Sequence, residues 1–121
     1  MSLTPEDLTL IAGANEVVVE TRSGDRVVRT VIWVVVDGED VFVRSVLGRA
    51  GRWWQRALAE PEVTLSVGDI RFRFTATPVT DPESVERTSE GFRRKYRKGR
   101  SLDAMLRPEV LDTTLLLETL V

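Results

Sequence analysis

Ile70, Phe72, Phe74 and Ala76 alternate with Arg71, Arg73, Thr75 and Thr77. Successive side chains of an extended backbone point to opposite sides, so this period of two predicts a strand with one buried face. Val63, Leu65 and Val67 alternate with Thr64 and Ser66 in the same way, and Gly68-Asp69 between the two runs predicts a hairpin turn. Further strands are predicted over 16–22, 27–36, 41–46 and 113–120. The turns Ser23-Gly24-Asp25-Arg26 and Asp37-Gly38-Glu39-Asp40 separate the first three of these. The run 27–36 reads VVRTVIWVVV and does not alternate. A strand that is apolar on both sides is covered on both faces. In so short a chain the second cover is expected from another copy, which predicts a homodimer.

Helical signals punctuate the strands. Thr4-Pro5-Glu6-Asp7 offers an N-cap, a proline at the first helical position and acids in the first turn, so a short helix is predicted to about Ile11. Over 52–60, Trp54 and Leu58 share a helix face and Pro61 ends the run. Asp81-Pro82-Glu83 opens a third helix with Val85, Phe92 and Tyr96 on one stripe and Gly99 at its end. A turn or two more covers 102–106. Six short strands, mostly joined by hairpins, with helices outside, predict a six-stranded antiparallel barrel of the α+β class, mainly β with peripheral helices. At 121 residues, without repeats or linkers, the chain is expected to form one domain over 1–121.

Composition narrows the chemistry. The chain has neither cysteine nor histidine. That removes disulfides, Ser-His and Cys-His nucleophiles, and thiolate or imidazole metal sites, so no metal is expected. Seventeen basic and 19 acidic residues leave a net charge of −2. This gives no bulk attraction to nucleic acid or anionic membrane, and neither is expected as a partner. No apolar run reaches membrane-spanning length, and the start of the chain lacks an apolar leader core. A cytoplasmic protein is expected. Arg93, Arg94, Lys95, Arg97, Lys98 and Arg100 crowd one short stretch. They read either as a solvated helix face or as a clamp for an anion.

Candidate chemistry gathers in RSVLGRAGRWW, residues 44–54. Gly48 and Gly51 permit close backbone approach to a ligand, and Arg49 and Arg52 carry planar forks suited to phosphate. Arg52 also stands near the start of a predicted helix, where backbone N–H groups lack partners. A plain solvated loop with surface arginines is the other reading. One of Trp53 and Trp54 is expected to pack on the barrel and the other to flank a ligand. Arg29 interrupts an apolar strand and needs a partner: a cofactor anion, Glu20 or an interfacial acid.

These residues carry a resemblance. The order is Arg22-Ser23-Gly24, Arg29-Thr30-Val31-Ile32-Trp33, Asp37-Gly38, Val43-Arg44-Ser45, a glycine-containing loop, then Trp53-Trp54 before Leu58-Ala59-Glu60-Pro61-Glu62-Val63-Thr64. Over about 16–78 it resembles the split β-barrel superfamily of pyridoxamine phosphate oxidase-like proteins, most closely its deazaflavin (F420)-dependent nitroreductase branch. It also resembles a related bacterial family of unknown function. The resemblance implies a split barrel that binds FMN or F420 at a homodimer interface. It also implies a reductase moving a hydride to a small organic substrate. The implied cofactor residues are Arg29, Thr30, Val31, Ile32, Trp33, Arg44, Ser45, Arg49, Gly51, Arg52 and Trp53, with Tyr96 near the substrate. Arg49 and Arg52 would replace a lysine usual in the phosphate loop, where this chain has Val46. A cofactor-binding protein without turnover, or a dimeric interaction protein on the same barrel, is the alternative.

Overall fold

The structure is a computed structural model that describes residues 3–120; residues 1, 2 and 121 of the expected domain lie outside them. The chain runs α1 (Pro5–Gly13), β1 (Val17–Ser23), β2 (Arg26–Ile32), β3 (Val35–Asp37), β4 (Asp40–Val43) and a 3-10 turn (Gly48–Ala50). It continues through α2 (Arg52–Ala59), β5 (Glu62–Val67), β6 (Ile70–Pro78), α3 (Pro82–Lys95), α4 (Arg100–Met105), α5 (Pro108–Leu111) and β7 (Leu115–Thr119). The strands form one sheet in the order β2-β1-β5-β6-β7-β4-β3, with every neighbouring pair antiparallel.

The sheet has seven strands, not the six expected from the sequence. The single strand predicted over 27–36 is two. β2 pairs with β1 from Arg26 opposite Ser23 to Ile32 opposite Val17, where β1 begins and offers no further partner. Trp33 and Val34 then carry the chain to the far edge of the sheet, and Val35 pairs with Phe42 of β4. Consecutive strands at opposite edges are what curl the sheet into a split half-barrel.

Val34 and Val35 divide the core. Val34 packs inside the barrel with Val17, Val43, Leu65, Phe74 and Leu115. Its neighbour Val35 points the other way, into a second cluster of Phe92, Tyr96, Leu102 and Met105. The second cover of this apolar run therefore comes, at Val35, from the chain's own α3 and α4, whereas Val31 remains 60% exposed. Gly91 makes the approach of α3 possible, because a Cβ there would lie 2.1 Å from Val35 Cγ1.

Both predicted proline-bearing helix starts form where the sequence places them, and a third, at Pro108, opens α5. Thr4 and Asp7 make reciprocal capping bonds at α1, and Asp81 Oδ2 accepts from Ser84 N–H at 2.9 Å at α3. The end of α3 differs from expectation. It stops at Lys95 rather than Gly99, and Tyr96 turns extended to lay its ring on Trp33, with centroids 3.8 Å apart and planes within 2°. The basic run is thereby split. Arg93 pairs with Glu86 and Glu90, Lys95 donates to Val34 O at 2.7 Å, and Arg100 opens α4. Burial pushes the Lys95 amine down to about 8.

Candidate functional site

The chain leaves β4 at Val43, and the next two residues build the floor of a cleft. Arg44 is 1% exposed. Its Nε donates to Thr114 Oγ1 at 2.9 Å, and Nη1 donates to Ser89 Oγ at 3.1 Å and Met105 O at 3.0 Å. Nη2 donates to Val85 O at 3.0 Å, and the guanidinium lies 5.5 Å from the Phe92 ring centroid. No carboxylate bonds it among the described residues. Burial pushes its pKa down to about 10, with nearby Glu86 opposing and Arg93 adding to the fall. The group still carries its charge at neutral pH.

Ser45 is also 1% exposed. Its N–H donates to Thr113 Oγ1 at 3.1 Å, but its own hydroxyl has no partner among the described residues. A buried hydroxyl without a partner is costly, and it favours a ligand that supplies one. Gly51 shapes the wall beside it, and Gly48 packs close to α5. Gly51 must lack a side chain, since a Cβ would fall 2.1 Å from Ser45 Oγ. Gly48 has φ +62°, and a Cβ there would sit 3.0 Å from Glu109 O. Gly51 is the N-cap of α2 and gives no side-chain cap, so the first N–H groups of α2 have no such acceptor. The orphan hydroxyl and the uncapped helix start are therefore neighbours, a pairing suited to an anion.

The cleft above them measures about 710 Å³, within the range of small-molecule sites. One wall is the end of β2 and its exit: Thr30, Val31, Ile32 and Trp33. The opposite wall is Gly51, Arg52, Trp53 and Arg56, and α4 contributes Arg100, Ala104 and Met105. Four arginines line it against one carboxylate, Glu16, and the rest of the surface is largely apolar. Such a lining suits a planar apolar body with an anionic tail.

Of the residues singled out in the sequence, Thr30, Val31, Ile32, Trp33, Arg44, Ser45, Gly51, Arg52 and Trp53 meet around this one cleft. Arg29, Arg49 and Tyr96 are not in its lining. Arg29 faces Glu20 across β1, with Nη1 3.5 Å from Oε1, and Arg71 Nη2 lies 2.7 Å from the other oxygen. Arg49 Nε donates to Asp112 Oδ2 at 2.8 Å. The Tyr96 hydroxyl donates to Asn15 O at 2.7 Å and accepts from Val34 N–H at 3.2 Å, and burial raises its pKa to about 12. Of the two tryptophans, Trp53 is 7% exposed and in the barrel core, while Trp54 is half-buried. The sequence reading missed the share of α4. Arg100 and Ala104, four apart, already marked one face of that short helix.

Comparison with known proteins places this architecture. The split half-barrel is shared with solved structures at 12–16% identity. Residues 7–117 match the family "Uncharacterized protein conserved in bacteria (DUF2255)", and the chain belongs to that family. Among solved structures it is similar to HutZ, the haem storage protein of Vibrio cholerae, at 14% identity, covering all of this chain and 92% of that one, with a TM-score of 0.70. It is similar to the conserved hypothetical protein Rv2991 of Mycobacterium tuberculosis at 14% identity, covering all of this chain and 81% of that one, with a TM-score of 0.71. A nimC/nimA family protein of Clostridium acetobutylicum shares 12% identity over 94% of this chain and 77% of that one, with a TM-score of 0.66. At these identities the likeness is one of fold. No curated protein matches the chain. Among the described residues no helix is long and apolar enough to cross a membrane.

Proposed function

We propose that the cleft binds a phosphate-bearing flavin or deazaflavin, FMN or F420, and that the protein is a reductase passing a hydride to a small organic substrate. The observation that carries this reading is one juxtaposition. The unpartnered Ser45 hydroxyl lies against the uncapped start of α2, beside Arg52 and below the apolar wall of Val31, Ile32 and Trp33. The residues present suit the cofactor. Ser45 Oγ, the first N–H groups of α2 and Arg52 would hold the phosphate. Residues 30–33 and Trp53 would flank the ring and exclude water, and buried Arg44 adds positive potential from beneath. When bound, the cofactor supplies the hydride chemistry, which a chain without histidine or cysteine does not offer itself. The same absence leaves a haem iron without its commonest protein ligands, so haem storage, the role in the name of the Vibrio cholerae relative, is the poorer reading here.

One observation favours a cofactor carrier without turnover as the second reading. The Tyr96 hydroxyl is engaged by two backbone groups, and Glu16 is the only carboxylate in the lining. Proton transfer to a substrate would then rest on Glu16 or on solvent.

Arg52 gives a clean test of the phosphate site. It is exposed and makes no ion pair among the described residues, so Arg52→Ala should leave the melting temperature unchanged. A charge-assisted bond to phosphate contributes about 1.5–3 kcal/mol, so affinity for FMN or F420 should fall roughly ten- to a hundredfold. Calorimetric titration of both proteins decides it. Equal affinities would move the phosphate elsewhere.

The rim of the cleft supports a homodimer. Val31, Val46 and Leu47 line it and are 60%, 44% and 68% exposed, an apolar edge that a second copy would cover. Light scattering after size exclusion should give twice the chain mass. A monomer at micromolar concentration would contradict this part of the account.

A further inference from the structure

Arg52 and Arg56 belong to two cavities. Besides walling the cleft, they line a groove of about 600 Å³ between α2 and the β1–β2 hairpin, together with Arg22 and Arg26. Four guanidinium groups meet there against one carboxylate, Glu60. Glu60 Oε2 already accepts from Gly24 N–H at 3.1 Å, which ties the hairpin turn to the end of α2. Arg56 is held in place between the cavities, its Nε donating to the buried Thr21 Oγ1 at 2.8 Å.

Arginines on the neighbouring strands and on α3 find carboxylates, and those of this groove do not. Arg29 and Arg71 share Glu20, Arg73 meets Glu62, Arg87 meets Asp37 and Asp40, and Arg93 meets Glu86 and Glu90. Arg22, Arg26, Arg52 and Arg56 make no ion pair among the described residues. Four of the arginines without an ion pair thus line one concavity that adjoins the cleft, while Arg44, Arg97, Arg100 and Arg107 are the others among the described residues. Like charges lining a groove repel one another and raise the local potential, and an anion between them relieves both.

We propose that this groove is a second anion subsite, taking the second phosphate of a diphosphate-bearing ligand whose first phosphate sits at the start of α2. Guanidinium forks match phosphate oxygens two at a time, and Arg56 and Arg52 bridge the two positions. The joint occupancy rests on the cleft reading above; the groove's own affinity for diphosphate does not. The site then also takes an elongated dinucleotide such as FAD, whereas FMN occupies the cleft alone.

The test uses inorganic pyrophosphate, FMN and FAD, titrated calorimetrically into wild type and Arg22→Ala/Arg26→Ala. Both replaced residues line the groove and not the cleft, and both are exposed, so the variant should melt with wild type. Pyrophosphate and FAD should each bind the variant about ten- to a hundredfold more weakly, while FMN should change less than about twofold. If pyrophosphate binds both proteins equally, or binds neither, the groove is not an anion subsite, whatever FMN does. If pyrophosphate binds and needs the two arginines but neither flavin binds wild type, the groove stands and the cofactor reading falls.

Discussion

Arg44→Ala is expected to lower the unfolding free energy by about 3 kcal/mol or more. The guanidinium donates to the buried Met105 carbonyl, to the part-buried Val85 carbonyl and to the hydroxyls of Thr114 and Ser89. Alanine leaves Met105 O without this donor, at about 1–3 kcal/mol, takes a bond from Val85 O, Thr114 and Ser89, and opens a hole beside them. Relief of the desolvated charge offsets part of the loss. Arg44→Met separates these effects, because it removes the charge and fills much of the volume but still strands Met105 O, and it should fall between alanine and wild type. Arg44→Lys should not rescue, since one ammonium on a flexible stem does not reproduce the fixed fork. For a domain of this size the alanine variant should melt roughly 10 °C lower. A shift under about 2 °C would show that the buried network contributes little.

Trp53→Ala should cost about 3–5 kcal/mol, the usual range for emptying a buried aromatic site. Trp53 and Ala57 are the two buried residues of α2 and sit one helical turn apart, facing the barrel core. Because the same ring lines the cleft, the variant should also lose cofactor affinity beyond what its lower stability explains. Trp54→Ala should cost less, since that ring is only half-buried. Adjacent helical residues point about 100° apart, so the sequence alone did not say which ring faces inward. Denaturant unfolding of both variants checks the order. A larger loss at Trp54 would contradict it.

Most of the barrel was legible because hairpins and alternation are local signals. The pattern of 70–77 became β6, and Gly68-Asp69 became its turn. The division of 27–36 was not legible. A continuous apolar run carries no polar mark where the chain crosses from one sheet edge to the other, and Trp33 and Val34 look no different from their neighbours until Val17 leaves Ile32 as the last pair. The cleft was partly legible, since the stretches at 30–33 and 44–53 each hold several of its residues. What the sequence could not supply was which arginine points where. Arg44 is bonded by residues 41 to 70 positions away, and Arg49 by Asp112, 63 positions on. Neither partnership leaves a trace in the local pattern.

The central claim is that the cleft between β2 and α2 takes a phosphate-bearing flavin or deazaflavin. Trp33 and Trp53 both line it, so their emission reports occupancy without any assumption about turnover. Titration of the purified protein with FMN and with F420, followed by tryptophan fluorescence, tests the claim most directly. Saturable quenching by at least one cofactor, weakened in Arg52→Ala, is the predicted result. Emission that neither cofactor changes up to high micromolar concentration would contradict it.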